Sequence, residues 1–307
     1  MMFVNSLKLF GSNFTKTLKF FLYYIVVLGV CFALLLPSFF EFKDMLAEIF
    51  ASAKLNIFGV FNISSGLGLG LRSLVFVVLY ACVEMFKANL GLAIYAFVVM
   101  FVVLPFLVNI GKYALDEMLY SYMTSNTKLG FFSALIKGLK RSVPFAICKT
   151  LYNLVFSAIV FAAVFGLAMI SNEIFVTYFF VIIVFLVLVL LFTFNQISVL
   201  GWACASIVFD CNVFSAYRKG IKAVKRHFWS IFGTTVLYFF LFWLVGLLCG
   251  ACSFVVLIPL MTCLLCVYDM TVFFTSQGMR FYINNNKILT PKKLEEVDNI
   301  NKTASIL

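Results

Sequence analysis

Six stretches of this chain, about residues 20–40, 89–111, 145–170, 175–200, 231–252 and 254–277, are apolar for long enough to cross a bilayer. A helical span needs ~20 such residues, because the hydrocarbon core is ~30 Å thick. Backbone amides find no partner in hydrocarbon, so each stretch must satisfy its own, and the helix does this segment by segment. The fold class predicted is an all-α integral membrane protein with six transmembrane helices. Composition excludes the soluble alternative: 64% of the 307 residues are hydrophobic and 11% charged. The first run starts near Lys19 and passes Pro37 without a small-residue cleavage site, so it is expected to stay in the membrane as a signal anchor.

The net charge of +11 would suggest nucleic acid in a soluble chain. Here the cations sit in short segments beside the apolar runs, among them Lys8, Lys16 and Lys19, then Lys137, Lys140, Arg141 and Lys149, then Arg218 to Arg226. The segment SNEI after Ile170 has no Lys or Arg, and the turn near Gly250–Ser253 is uncharged. That asymmetry is a topology signal. It predicts a multi-pass protein of the inner, cytoplasmic membrane with both termini cytoplasmic, and nucleic acid is not among the expected partners.

The chain also repeats itself. FSALIKGLK at Phe132–Lys140 matches FSAYRKGIK at Phe214–Lys222 in six of nine positions, and each runs into a long apolar segment. At 3.6 residues per turn, Phe214, Tyr217, Ile221, Val224 and Phe228 share one face of the second copy, and Arg218, Lys219, Lys222, Lys225 and Arg226 the other. A third copy opens the chain, with Leu7 on Ile221, Lys8 on Lys222, Phe10 on Val224 and Phe14 on Phe228. The expected organisation is three parallel repeats, each a basic amphipathic interfacial helix followed by a hairpin. Their bounds are 1–128, 129–208 and 209–282, with a polar cytoplasmic tail at 283–307. Only the first unit carries an insertion, 41–88, expected to be extracytoplasmic or re-entrant, with an acidic start, a Gly-rich stretch at Ser64–Leu71 and a short apolar run at Leu74–Met85.

With FSAYRKGIKAVKRHFWSIFG opening the last hairpin, the pattern from the middle unit onward resembles bacterial six-span inner-membrane proteins. These are similar to the membrane domain fused to glycerophosphodiester phosphodiesterases and include families of unknown function. The resemblance implies the six-span fold. It implies no activity, because the phosphodiesterase domain has no counterpart here, and the insertion 41–88 is not part of the pattern.

Lys137, Lys140 and Arg141, with Arg218, Lys219, Lys222, Lys225 and Arg226, are the candidate contacts to anionic lipid headgroups. The plainer reading is that they only fix orientation. Glu84 and Asp269 lie in apolar runs, where an ionisable group is costly and often marks an ion path. Placing LPFLVNIGKYALDE over IPLMTCLLCVYDM puts Asp116 on Asp269. Cys249, Cys252, Cys263 and Cys266 have zinc-site spacing but an apolar setting, and read as buried thiols. His227 is the sole histidine, and no Walker loop, GxGxxG, HExxH or GxSxG occurs where it could act. No enzyme, catalytic residue, metal or cofactor is therefore expected. The function expected is lipid or envelope organisation through anionic lipid at the cytoplasmic face, with a membrane-protein partner or a second copy of the chain as further partner. The alternative is a channel or small-solute carrier along the repeat axis, with Glu84 and Asp269 on its path.

Overall fold

The computed structural model describes residues 6–60, 79–125, 129–170, 174–249 and 254–276, apart from positions 8 and 12. Among these there is no strand; the chain is helix after helix. They are α1 (Phe14–Val60), α2 (Leu90–Val98), a π-helical turn (Val99–Val103), α3 (Leu104–Ser125), α4 (Phe131–Ile170), α5 (Ile174–Phe209), α6 (Val213–Val224), a 3-10 turn (Lys225–His227), α7 (Phe228–Cys249) and α8 (Phe254–Ser276). Five described stretches are long and apolar enough to cross a membrane: Thr17–Ala47, Leu90–Met123, Phe131–Ala163, Leu186–Phe209 and Ile258–Ser276. The remaining expected span falls on α7, a 22-residue helix whose side chains lie mostly outside the described residues from 238 onward.

Prolines account for part of this geometry. Pro105 has no amide hydrogen, so the turn before it cannot close in the ordinary way, and Val99–Val103 widens to a π turn that joins α2 to α3. The second expected span therefore runs on through Pro105. Pro144 lies inside the unbroken 40-residue α4. In the alignment of the copies it stands where Arg226 stands, within the 3-10 turn that separates α6 from α7. In the first copy the matching register is the turn at Asn13, whose Nδ2 donates to Leu9 O at 3.1 Å. The first and last sequence copies thus lose regular helix geometry at the same place, while the middle copy runs through it as continuous helix.

The insertion departs from expectation in part. Residues 41–60 continue α1, so the acidic stretch at Glu41 is the far end of one 47-residue helix, about 70 Å at 1.5 Å per residue. The Gly-rich stretch Ser64–Leu71 lies outside the described residues. Residues 79–88 are helical and stop at Asn89, which leaves helical geometry at φ −153° and caps α2 by accepting from Leu92 N at 3.2 Å. This run is not a straight extension of the second span. At its end Glu84 and Lys87 pair at 2.8 Å, and the neighbouring carboxylate raises the Lys87 ammonium above its ordinary pKa.

Two compact units organise the chain. One contains residues 1–26, 107–149 and 193–307; the other contains 27–106 and 150–192. In the second unit α1 meets α2 through Ser38 Oγ donating to Leu92 O at 3.3 Å and Tyr95 OH donating to Leu34 O at 2.9 Å. In the first unit an aromatic chain crosses four helices: Tyr113 lies 5.3 Å from Phe145, Phe145 lies 5.5 Å from Trp202, and Trp202 lies 4.9 Å from Tyr217. Tyr113 OH and Ser206 Oγ are 3.3 Å apart, and Trp202 Nε1 donates to Val213 O at 2.8 Å, which fixes the start of α6 on α5.

Candidate functional site

The first unit carries two sets of chemistry-bearing residues, one exposed and one buried. The exposed set is the basic face. Lys137, Lys140 and Arg141 on α4 are exposed, as are Arg218, Lys219 and Lys222 on α6 and Lys225 and Arg226 in the turn after it. What packs inward differs from the sequence expectation. In α6 the buried stripe is Ala216, Gly220 and Val224, and the large apolar residue Phe214 is 75% exposed. In α4 the stripe is Ala134, Gly138 and Ser142, with Phe132 and Ile136 outward, Ile136 73% exposed. Ser6, at the register of Gly138 and Gly220, is buried too.

The cause is close approach. A Cβ built on Gly220 would lie 2.6 Å from Gly201 C and O, and one on Gly201 would lie 2.7 Å from Gly220 Cα and O. Backbone touches backbone between α5 and α6, which only glycine permits. Large apolar side chains are forced off that seam to its flank, where they point outward beside the cations. Trp229, just after the basic turn, is 78% exposed.

Not every cation on this face is unengaged. Arg141 is ion-paired to Asp210, the residue that follows α5. Lys219 lies 4.9 Å over the Phe209 ring. Asp210 sits at φ 48°, in the left-handed region that aspartate tolerates better than a branched residue. Asp210→Asn removes the exposed ion pair and keeps that tolerance, so thermal unfolding should register a loss within about 1 kcal/mol. Asp210→Val adds a left-handed β-branched residue, and the loss should grow by about 1–2 kcal/mol.

The buried set lies on the spans. Asp116 on α3 is 5% exposed, and Asp269 on α8, half-buried as a residue, has its Oδ1 shut away. Asp116 lies within electrostatic range of Lys149 on α4 and of Lys112 one turn earlier on its own helix. Asp269 lies within range of Asp116 and of both lysines. Cys204 on α5 and Cys266 on α8 face the same two carboxyls. Asp116, Cys204 and Asp269 each come from the second helix of a predicted hairpin. The two residues that the alignment places together, Asp116 and Asp269, lie within electrostatic range of one another. Lys112 and Lys149 belong to the cluster, and Lys149 reads from sequence only as a topology charge, with no signal to separate it from the other cations.

Glu84 belongs to the other compact unit, where it is paired with Lys87. Among the described residues no group of three or more His, Cys, Asp or Glu is placed to hold a metal ion. Cys263 and Cys266 are buried free thiols, whereas the side chains of Cys249 and Cys252 lie outside the described residues. His227 is half-buried at the end of the 3-10 turn. A cavity of about 170 Å³ beside Phe10, Phe14, Leu18 and Leu260 has only apolar surface and offers nothing to a charged solute. Compared with known proteins, the chain matches no family model, no curated protein and no solved structure.

Proposed function

We propose that this is a non-enzymatic multi-pass protein of the cytoplasmic membrane that holds anionic lipid at its cytoplasmic face. Six spans in three parallel repeats carry three basic helices to that face, with both termini on the same side. The observation that supports this is the composition of the outward surface of α4 and α6. Phe132, Ile136, Phe214 and Trp229 project outward beside Lys137, Lys140, Lys219 and Lys222. Orientation alone requires the charges but not exposed aromatic and aliphatic side chains next to them. An interface-seated helix requires both, because apolar groups enter the acyl boundary while ammonium groups meet phosphates.

Each near-surface cation contributes ~1 kcal/mol toward an anionic membrane. Lys219→Gln, Lys222→Gln and Lys225→Gln together should therefore weaken anionic-lipid binding by about 3 kcal/mol, roughly a hundred-fold. Native mass spectrometry of lipids retained by the purified protein and by this triple variant measures it. Equal retention of anionic lipid in both would reduce the basic helices to topology signals. A channel or carrier is the second reading, and it rests on Asp269, since Glu84 already has a cationic partner in Lys87 at 2.8 Å. If Asp269→Asn leaves every measured flux unchanged in proteoliposomes, that reading has no residue left to carry it.

A further inference from the structure

Threonine hydroxyls inside these spans are satisfied locally, whereas among the described residues the buried Oδ1 atoms without a hydrogen-bond partner are the carboxyl oxygens of Asp116 and Asp269 and the amide oxygens of Asn13 and Asn195. Thr234 Oγ1 donates to Ser230 O, Thr235 Oγ1 to Ile231 O, Thr262 Oγ1 to Ile258 O and Thr271 Oγ1 to Val267 O, each at 2.7–2.8 Å. A hydroxyl can do this because it has a proton to give to the carbonyl one turn back. An ionised carboxylate has only lone pairs, and the helix amides beside it are already bonded, so its donor must come from elsewhere. Asp116 Oδ1 and Asp269 Oδ1 are buried and have no hydrogen-bond partner. Lys112 and Lys149 are within electrostatic range, yet among the described residues the ion pairs within 4.0 Å are Lys87–Glu84 and Arg141–Asp210 alone. The Lys149 ammonium lies 5.3 Å over the Phe145 ring.

We propose that Asp116 and Asp269 form an internal proton-exchange site, in which water bridges the two carboxyls to the ammonium groups of Lys112 and Lys149. Water is the donor that fits oxygens whose cationic neighbours stand beyond direct reach, and it needs two to four polar partners, which this group supplies. A metal cation is disfavoured by the two ammonium groups and by the small number of oxygen ligands. A proton needs one carboxyl oxygen and no cage. Uptake breaks an O–H bond of a hydronium in the bridging water and forms one on an Asp oxygen, leaving neutral water, and release is the reverse, so no redox partner is required. The groups facing the pair are Lys112 and Tyr113 on α3, Lys149 on α4, Cys204 on α5, and Cys266 and Tyr268 on α8, with Cys263 beside Cys266. This site is separate from the lipid-facing surface and stands or falls without it.

Infrared spectroscopy of the protein in lipid nanodiscs, titrated in H2O and in D2O, tests it. The expected result is a protonated-carboxyl band that changes with pH, shifts in D2O and is lost in Asp116→Asn/Asp269→Asn. Asp269→Glu, which keeps the acid, should retain a pH-dependent band at a moved frequency, and it serves if the double variant does not fold. A spectrum with no pH-dependent carboxyl band overturns the proposal. So does a band unchanged in these variants, or one that follows sodium concentration at fixed pH.

Discussion

Gly220→Leu is expected to detach α6 from α5 and to destabilise the protein by about 3 kcal/mol or more. Most overpacked sites find some relief by rotating a neighbouring side chain. Here the nearest atoms to a new Cβ are Gly201 C and O at 2.6 Å and Trp202 N at 3.0 Å, all backbone, so the whole helix has to move. Gly201→Val attacks the same seam from the other side and should behave alike. Gly138, in the matching register of α4, provides the contrast. Its Cβ would meet Glu117 Oε2, the tip of a flexible side chain, and alanine favours a helix by about 1 kcal/mol over glycine. Gly138→Ala should therefore be close to neutral. Trp202 reports the difference directly, because its indole donates to Val213 O at the first residue of α6. Thermal unfolding followed by tryptophan emission should show a large loss for Gly220→Leu and little change for Gly138→Ala. Equal effects at the two glycines would mean that the α5–α6 seam is not what holds the basic helix.

Hydrophobic length alone made the helical class and five candidate spans among the described residues legible, since a run of ~20 apolar residues admits few other structures. The sequence copies went further. They aligned Asp116 with Asp269, and those residues lie within electrostatic range of one another. What periodicity missed is which face of α6 packs. Hydrophobicity ranks Phe214 above Gly220, yet Gly220 is buried and Phe214 is outward, because distance between backbones rather than apolar area decides this contact. In α4, Ala158, Ala162 and Gly166 repeat every four residues but are exposed, and a Cβ on Gly166 would touch nothing within 4 Å. The membership of Lys149 in the buried cluster was illegible for a related reason. Beside an apolar run a lysine reads as an orientation signal, and only the packing of α4 against α3 and α8 reveals which carboxyls it meets.

Lys149→Met should cost about 1–3 kcal/mol, less than breaking a buried ion pair, because Lys149 is half-buried and stands beyond direct pairing distance of either carboxyl. Methionine has similar length and fills the same apolar path past Phe145, so the lost quantity is charge rather than volume. With Lys149 gone, Asp116 and Asp269 keep Lys112 as their one cation of the cluster. Surface lysines set the scale: Lys219→Gln, outside this cluster, should change stability by no more than about 0.5 kcal/mol. The decisive variant is Lys149→Met/Asp116→Asn, which removes one charge of each sign. If the two residues act within one cluster, the double variant should be more stable than the sum of its parts by about 1–3 kcal/mol, measured as a double-mutant cycle on thermal or chemical unfolding. Strict additivity would show that Lys149 and Asp116 do not stabilise one another, and the four charges would then have to be treated as separate burials. Recovery in the double variant would instead mark Asp116, Asp269, Lys112 and Lys149 as one electrostatic unit, whose unpartnered carboxyl oxygens remain in the single-acid variant at Asp269. For that reason the stability cycle and the proton-exchange measurement are independent. The first reads the attraction between the fixed charges, while the second reads whether water reaches the carboxyl that is left.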